Sequence, residues 1–472
     1  MDQRAKADRL TRWTLAAALL IGLVRFWRLG TWGIWIDEAF TLNDTIHRAG
    51  IANPAGYLLH GMFYELAGGR PDELVLRIPA AVAGWLCLPA TYWAVRPLVG
   101  RRGAAVGAAI LAVAAWHVYW SQTARFYTLA QLLGLLGGGL FVRGLFAGKR
   151  RLLLPGFALG VLAALTHPSA AILLLALLVA PWLGRSLGLF PDAYQRPALW
   201  TALLYLGCGS LFAGLGWALE IWLEWNARKG TGTPLHLVAS TGYLVGPVVG
   251  AFGLAGAWLA FRNRPHPALL AVLVAGVGAW IALAAAFFTR VSAQYVFVLL
   301  PWLAAIAAVP VAAWGEWRRG PSRPASTGAL VALVVLLLPS AIDTGLYFTV
   351  RNGDRPRWRE AYRYVFENRR PGDLVMGMEA PVGEYYFDPR ADELRGWRNV
   401  TWLDRFRAPL LGTWARQPRR RWLVLSQELM QEYDPLDRER TRRMLREDYR
   451  LMAEFPIPWT PRDLDLEVYL AE

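Results

Sequence analysis

The chain has 472 residues, of which 55% are apolar and only 18% charged, with 24 tryptophans and a mean hydropathy of +0.29. A soluble chain carries roughly 25% charged residues. This composition excludes a disordered chain, a coiled coil and an ordinary soluble enzyme, and it points to a membrane protein. The net charge of +15 is unevenly spread: residues 1–349 hold 27 Lys and Arg against 13 acids, whereas residues 350–472 hold 23 Arg, no Lys and 22 acids. The excess basic charge accompanies the apolar part, as positive-inside loops require, and no nucleic-acid partner is expected. Cys87 and Cys208 lie within apolar runs and form no disulfide framework.

The first 12 residues are basic. The apolar run from Trp13 ends at Arg25 and Arg28 without the small-residue site of a cleaved leader, so a retained first span is expected. About 20 helical residues cross a bilayer core. Runs of that order follow at about 77–97, 103–120, 128–147, 152–166, 169–184, 198–221, 237–261, 267–288, 293–314 and 326–348, which makes about eleven spans. His167-Pro168 separates the fifth from the sixth, because proline interrupts the helical hydrogen-bond ladder. With the N-terminus cytoplasmic, 18 of the 27 basic residues fall on inside loops and nine of the 13 acids fall outside. The expectation is a membrane α-helical domain over 1–349, in the inner (cytoplasmic) membrane, with everything beyond it extracytoplasmic.

Residues 350–472 hold no membrane-length run. The spacing of Trp358, Tyr362, Val365 and Phe366 predicts a helix over 357–369. Pro371-Gly372 ends it. Strands are expected at 373–378, 422–426 and 466–470, with a charged helix at 437–449. This reads as a small α/β domain of ordinary domain size. It has no Walker or glycine-rich phosphate loop, so nucleotide binding is not indicated.

The first outside loop, residues 30–76, is the longest between spans and carries adjacent acids, Asp37 and Glu38, after Trp32 and Trp35. Tryptophan favours the membrane interface, so the two indoles are expected to fix this loop at headgroup depth. A carboxylate there can act as general base on a hydroxyl, ligate a metal, or simply cap a helix. Residues 53–66, with Tyr57 and His60, read as an amphipathic interfacial helix too short to span. Arg77 opens the second span, and Arg125 and Tyr127 follow the third. Arg77 and Arg28 sit where snorkelling to headgroups suffices.

Taken in order, Trp-x-Asp-Glu-Ala, Asn-Pro-x-x-Tyr-Leu-Leu, Leu-Arg-Ile-Pro and Ser-x-x-Ala-Arg-x-Tyr form a series, with Gln294-Tyr295 and Pro301 later in the chain. The series resembles the dolichyl- and undecaprenyl-phosphate-sugar glycosyltransferases of the GT-C fold, which include the protein O-mannosyltransferases and the aminoarabinose transferase of lipid A. The match covers about 30–130 well and 290–301 loosely. Residues 51–55 lack the Pro-Pro and preceding metal-ligand type of many members, and Gln294 stands where the family has Arg, with Arg290 one turn away.

The resemblance implies an integral membrane inverting glycosyltransferase that moves a sugar from a polyprenyl-phosphate donor to a lipid, glycan or protein acceptor outside. Such a reaction needs a base near the hydroxyl and cations near the leaving phosphate. Asp37 is the expected base, with Glu38 as its orienting neighbour or alternate. Arg125, Arg290 and then Lys229 are expected on the phosphate, and Tyr57, His60, Tyr127 and Tyr295 complete the candidate set. Five histidines near the outside face, with Asp37, Glu38 or Glu65, make a divalent metal conceivable. No His-x-x-x-His spacing supports it, so no cofactor or metal ligand is assigned. The rival function is a polytopic lipid or saccharide transporter or flippase. It would show internal repeats and polar residues at helix centres, whereas here the polar residues gather in one outside loop.

Overall fold

The computed structural model describes residues 3–47, 52–68, 71–146, 149–190, 197–229, 232–263, 265–317, 326–387, 399–403, 419–460 and 462–472. The first apolar run folds as α1, Gln3–Gly22. The segment between α1 and the next long helix, expected above to be the first outside loop, holds two short helices, α2 at Ile36–Ile46 and α3 at Pro54–Leu66. The 41 residues of α4, Glu73–Val113, would reach about 60 Å if straight, about twice a bilayer core. Instead the helix breaks at Gly100, whose φ of 72° and ψ of 176° suit a residue without a Cβ. The runs expected at 77–97 and 103–120 are the two arms of this broken helix, and α5, Ala115–Ser121, continues the second arm.

The remaining apolar runs form α6 at Tyr127–Phe146, α7 at Leu153–Thr166, α8 at Ala170–Ser186 and α9 at Pro197–Lys229. The interruption at His167-Pro168 is real: α7 stops before it and α8 starts after it. Further on come α10 at Pro234–Val245 and α11 at Pro247–Arg262, bent by 101° about Gly246, and α12 at Ala268–Ala286. A 3-10 turn, Ala293–Leu299, then leads into α13 at Leu300–Trp317, and α14 follows at Ser326–Thr349. Among the described residues, six helices are long and apolar enough to cross a membrane, and seven if the bent pair is one span.

Beyond α14 the chain turns through Gly353, whose φ of 66° and close approach to the Trp32 indole leave no room for a side chain. It then forms α15 at Trp358–Asn368, β1 at Leu374–Gly377, α16 at Ala380–Phe387, β2 at Thr401–Trp402 and β3 at Arg421–Ser426. A helix at Pro435–Asp448 precedes β4, Arg450–Phe455, and β5, Leu466–Ala471. The sheet order is β2-β1-β3-β5-β4. β1 pairs in parallel with β2 and β3, and β5 pairs antiparallel with β3 and β4. The helix and strands expected around residues 357–378, 422–426 and 466–470 are therefore present. β3 is buried along its whole length, which explains its unbroken apolar run.

Two apolar cores matter for the site. One fills the helical bundle around Trp302, Phe297 and Tyr127. The other does not stop at residue 350: Trp358, Tyr362, Val375 and Leu423 share it with Ile34, Ala39, Leu42 and Leu76 of the segment 30–76 and with Ala124. The C-terminal sheet is thus packed onto the segment that carries Asp37.

Candidate active site

Asp37 and Glu38 both fall in the first turn of α2. Successive residues on a helix point about 100° apart, so adjacent acids take different directions. Glu38 points inward and is fully buried, while the Asp37 side chain keeps 30% of its surface exposed.

Glu38 makes a two-pronged ion pair with Arg77, whose Nε and Nη2 donate to Oε1 and Oε2 at 2.7 Å each. Arg77 gives its other N–H groups to the carbonyls of Leu29 (3.0 Å), Trp32 (2.9 Å) and Gly33 (2.9 Å). The Ala124 amide donates to Glu38 Oε1 at 2.8 Å. Burial alone would raise the Glu38 carboxyl, but the Arg77 guanidinium outweighs it and holds Glu38 below the ordinary carboxylate range. The sequence-based expectation of Arg77 as a snorkelling residue is corrected: a buried carboxylate and three carbonyls use all five of its donors, and none is left for a headgroup.

Asp37 faces Arg125. Arg125 Nε lies 4.0 Å from Asp37 Oδ2, and Nη1 donates to Thr41 Oγ1 at 2.9 Å and to the Asp37 carbonyl at 3.4 Å. Among the described residues, Arg125 Nε has no hydrogen-bond partner. Burial alone would lower the Arg125 guanidinium. Asp37 first, and then the hydroxyls of Tyr127, Tyr57 and Tyr295, together push it above its ordinary value. The fold therefore gathers Asp37, Arg125, Tyr57, Tyr127 and Tyr295 at one place.

Tyr57 donates to Asp44 Oδ2 at 3.2 Å and packs edge-on against Phe126. Tyr127 is buried against Trp120 and His167, each 4.2 Å between ring centres, and Tyr295 stacks on His167 at 6.2 Å. His60 lies behind the site, fully buried, with Nδ1 3.1 Å from the Tyr64 hydroxyl. Burial, and then Arg125, push it down to about 3, so it is neutral. Arg290 is exposed in the extended segment after α12 and forms no ion pair among the described residues. Lys229 closes α9, and its side chain lies outside the described residues.

Trp32 differs from expectation. It is 2% exposed, its indole N–H donates to Gln122 Oε1 at 3.1 Å, and Tyr347 donates to the same oxygen at 3.0 Å. An indole whose N–H is satisfied inside the protein has no need of the lipid interface. Trp32 is a core residue that joins the loop to α5 and α14.

Several contributing residues were not anticipated. Thr41 lies one helical turn after Asp37, and i, i+4 spacing is the signal that would have found it. Arg355 donates to the Gln122 carbonyl (2.8 Å) and Thr123 Oγ1 (2.6 Å), fixing the segment that carries Arg125. From the C-terminal domain, the Tyr386 hydroxyl accepts the Ile34 N–H at 2.7 Å and Glu379 Oε2 accepts the Ile36 N–H at 3.2 Å. Arg359 pairs with Glu73 at 2.6 Å and donates to the carbonyls of Gly30, Thr31 and Trp32. Among the described residues, no three His, Cys, Asp or Glu side chains converge to hold a metal ion.

No protein-family model matches the chain, and no curated protein sequence does either. Solved structures do. ArnT from Cupriavidus metallidurans bound to undecaprenyl phosphate is 15% identical, with 98% of both chains covered and a TM-score of 0.56. The archaeal oligosaccharyltransferase AglB from Archaeoglobus fulgidus, in complex with an inhibitory peptide and a dolichol-phosphate, is 11% identical, with 89% of this chain and 70% of that chain covered and a TM-score of 0.53. Agreement over nearly the whole length, the C-terminal sheet included, establishes that this chain has the GT-C fold.

Proposed function

We propose that the protein is an integral membrane glycosyltransferase that moves a sugar from a polyprenyl-phosphate donor to an extracytoplasmic hydroxyl acceptor, with inversion. The acceptor hydroxyl attacks the anomeric carbon as the bond from that carbon to the phosphate oxygen breaks. Asp37 takes the hydroxyl proton, and the polyprenyl phosphate leaves with the electron pair on its oxygen. Arg125 meets the phosphate as its charge grows, and Arg290, exposed and unpaired among the described residues, is the second cation. The topology in this proposal has about eleven spans, a cytoplasmic N-terminus and an extracytoplasmic domain over 350–472, supported by the basic inside loops.

The observation that carries the reading is the contrast between the two arginines of the site. Arg77 spends all its donors internally, whereas Arg125 stands against the partly exposed Asp37 with Nε unspent among the described residues. A carboxylate beside a guanidinium that keeps an N–H without a hydrogen bond among the described residues is what this displacement requires. The binding of undecaprenyl phosphate by ArnT and of dolichol-phosphate by AglB adds support, because both share this fold. The test is incubation of purified protein with a panel of polyprenyl-phosphate sugars and candidate acceptors, scoring release of polyprenyl phosphate. Movement of intact donor across vesicles without its cleavage would favour a flippase instead.

A further inference from the structure

The C-terminal sheet presents the carboxyl ends of its three parallel strands to the start of α2. Glu379 follows β1 by two residues, Trp402 ends β2, and Glu428 follows β3 by two. In parallel sheets this edge is where functional residues collect. Trp402 donates its indole N–H to the Met378 carbonyl at 2.6 Å and packs on Phe40 of α2 with 6.3 Å between rings. Glu379 reaches across to accept the Ile36 N–H at 3.2 Å, an otherwise unpaired donor of the first helical turn. With the Tyr386 contact to Ile34, the C-terminal domain thus holds two of the three amides immediately before Asp37.

We propose that Glu379 is a positioning residue for sugar transfer: it fixes the first turn of α2 from the C-terminal domain so that the Asp37 carboxylate meets the acceptor hydroxyl. The proposal rests on the reading of Asp37 as the base. The groups facing Glu379 are Asp37 on α2, Glu428 and Glu432 after β3, and Tyr362 on α15. Of these, Glu428 pairs with Arg462 at 3.4 Å. Burial first, then Asp37 and Glu428, push the Glu379 carboxyl well above its usual range, against the pull of the Ile36 amide. Glu379 therefore favours its neutral form, as a buried carboxyl near other acids does. As pH rises, ionisation of Glu379 sets a second negative charge near Asp37, and transfer falls.

The experiment uses the full-length protein in nanodiscs, with variants Glu379→Ala, Glu379→Gln and Asp37→Asn. The kinetic probe is the polyprenyl-phosphate sugar cleaved fastest by the parent, and hydrogen exchange across residues 34–40 is measured in parallel. Glu379→Ala should lower kcat roughly 10–100-fold with donor KM within about twofold, since small misplacements of a reacting group cost rate rather than binding. Glu379→Gln keeps the acceptor oxygen and cannot ionise. It should restore kcat to within about threefold and abolish the alkaline fall of the parent. Exchange at Ile36 should rise in the Ala variant and not in the Gln variant. Parental kcat, pH profile and exchange in both Glu379 variants, beside a slow Asp37→Asn, would overturn this proposal alone. A parental rate in Asp37→Asn would overturn the base reading. If no donor is cleaved, unchanged exchange at Ile36 in Glu379→Ala would still overturn the positioning role.

Discussion

Arg77 and Glu38 are joined by two parallel hydrogen bonds of 2.7 Å in a site closed to solvent. The pair ties α4 to α2, and through the Ala124 amide it also sets the segment that ends in Arg125. Position 38 is thus the keystone under both candidate catalytic groups, although it touches neither reacting face.

Breaking this pair should cost the fold rather than the chemistry. Removing one partner of a buried ion pair leaves an uncompensated charge, at a cost of about 3–5 kcal/mol. Glu38→Gln and Arg77→Met should each lower the melting temperature of the detergent-solubilised protein markedly, and the double variant should recover part of the loss. The acid limb follows from the direction of the shift. Glu38 is held below the ordinary carboxylate value, so its contribution is present above that value and lost as pH falls through the folded one. The parent should lose stability below about pH 4.5, and Glu38→Gln should lack that component. Melting curves across pH 3–7 provide the check.

Arg125 should behave differently. With the phosphate as its partner, Arg125→Ala removes a charge-assisted contact worth about 1.5–3 kcal/mol. Donor kcat/KM should fall about 10–100-fold while the melting temperature stays near the parental value. Arg125→Lys should recover only part, because an ammonium lacks the planar fork. Unchanged donor kinetics in Arg125→Ala would leave Arg125 as a partner of Asp37 and Thr41 only.

His60 should be silent. Its value of about 3 keeps the imidazole neutral throughout the physiological range. His60→Gln should therefore leave the shape of the pH–rate profile between pH 5 and 8 unchanged, even where its packing against Phe126 and Tyr64 alters the absolute rate. A lost inflection in that range would assign His60 a proton-transfer role.

Much of the helical part was legible because long apolar runs fold as helices, and α3 because its Pro and its amphipathic spacing mark a short helix. Strand β3 was legible for a related reason: a strand buried on both faces is continuously apolar. The opposite fates of Asp37 and Glu38 were not legible, since they depend on where α2 begins. The role of Arg77 was hidden because Glu38 is distant in the chain and its other partners are carbonyls, which no side chain in the sequence announces. Glu379 was missed because its partner, Ile36 N–H, is distant in the chain, although an acid directly after an apolar strand was a signal.

Topology gives an independent prediction. Protease added to intact spheroplasts should digest residues beyond about 350 and spare the cytoplasmic N-terminus. Tags at the two ends report the outcome by immunoblot. Protection of the C-terminal region would reverse the orientation and remove the site from the face where the acceptor is expected.

The central claim is that Asp37 is the general base. Asp37→Asn preserves shape and removes basicity, and loss of a general base costs about 10²–10⁴ in rate. The decisive measurement is single-turnover release of polyprenyl phosphate from the donor cleaved by the parental protein, compared between parent and Asp37→Asn, with donor binding measured separately. The account predicts a fall of roughly 10²–10⁴-fold at nearly unchanged donor affinity. Transfer at the parental rate would contradict it, leaving Asp37 as a helix-terminal charge and placing the base elsewhere.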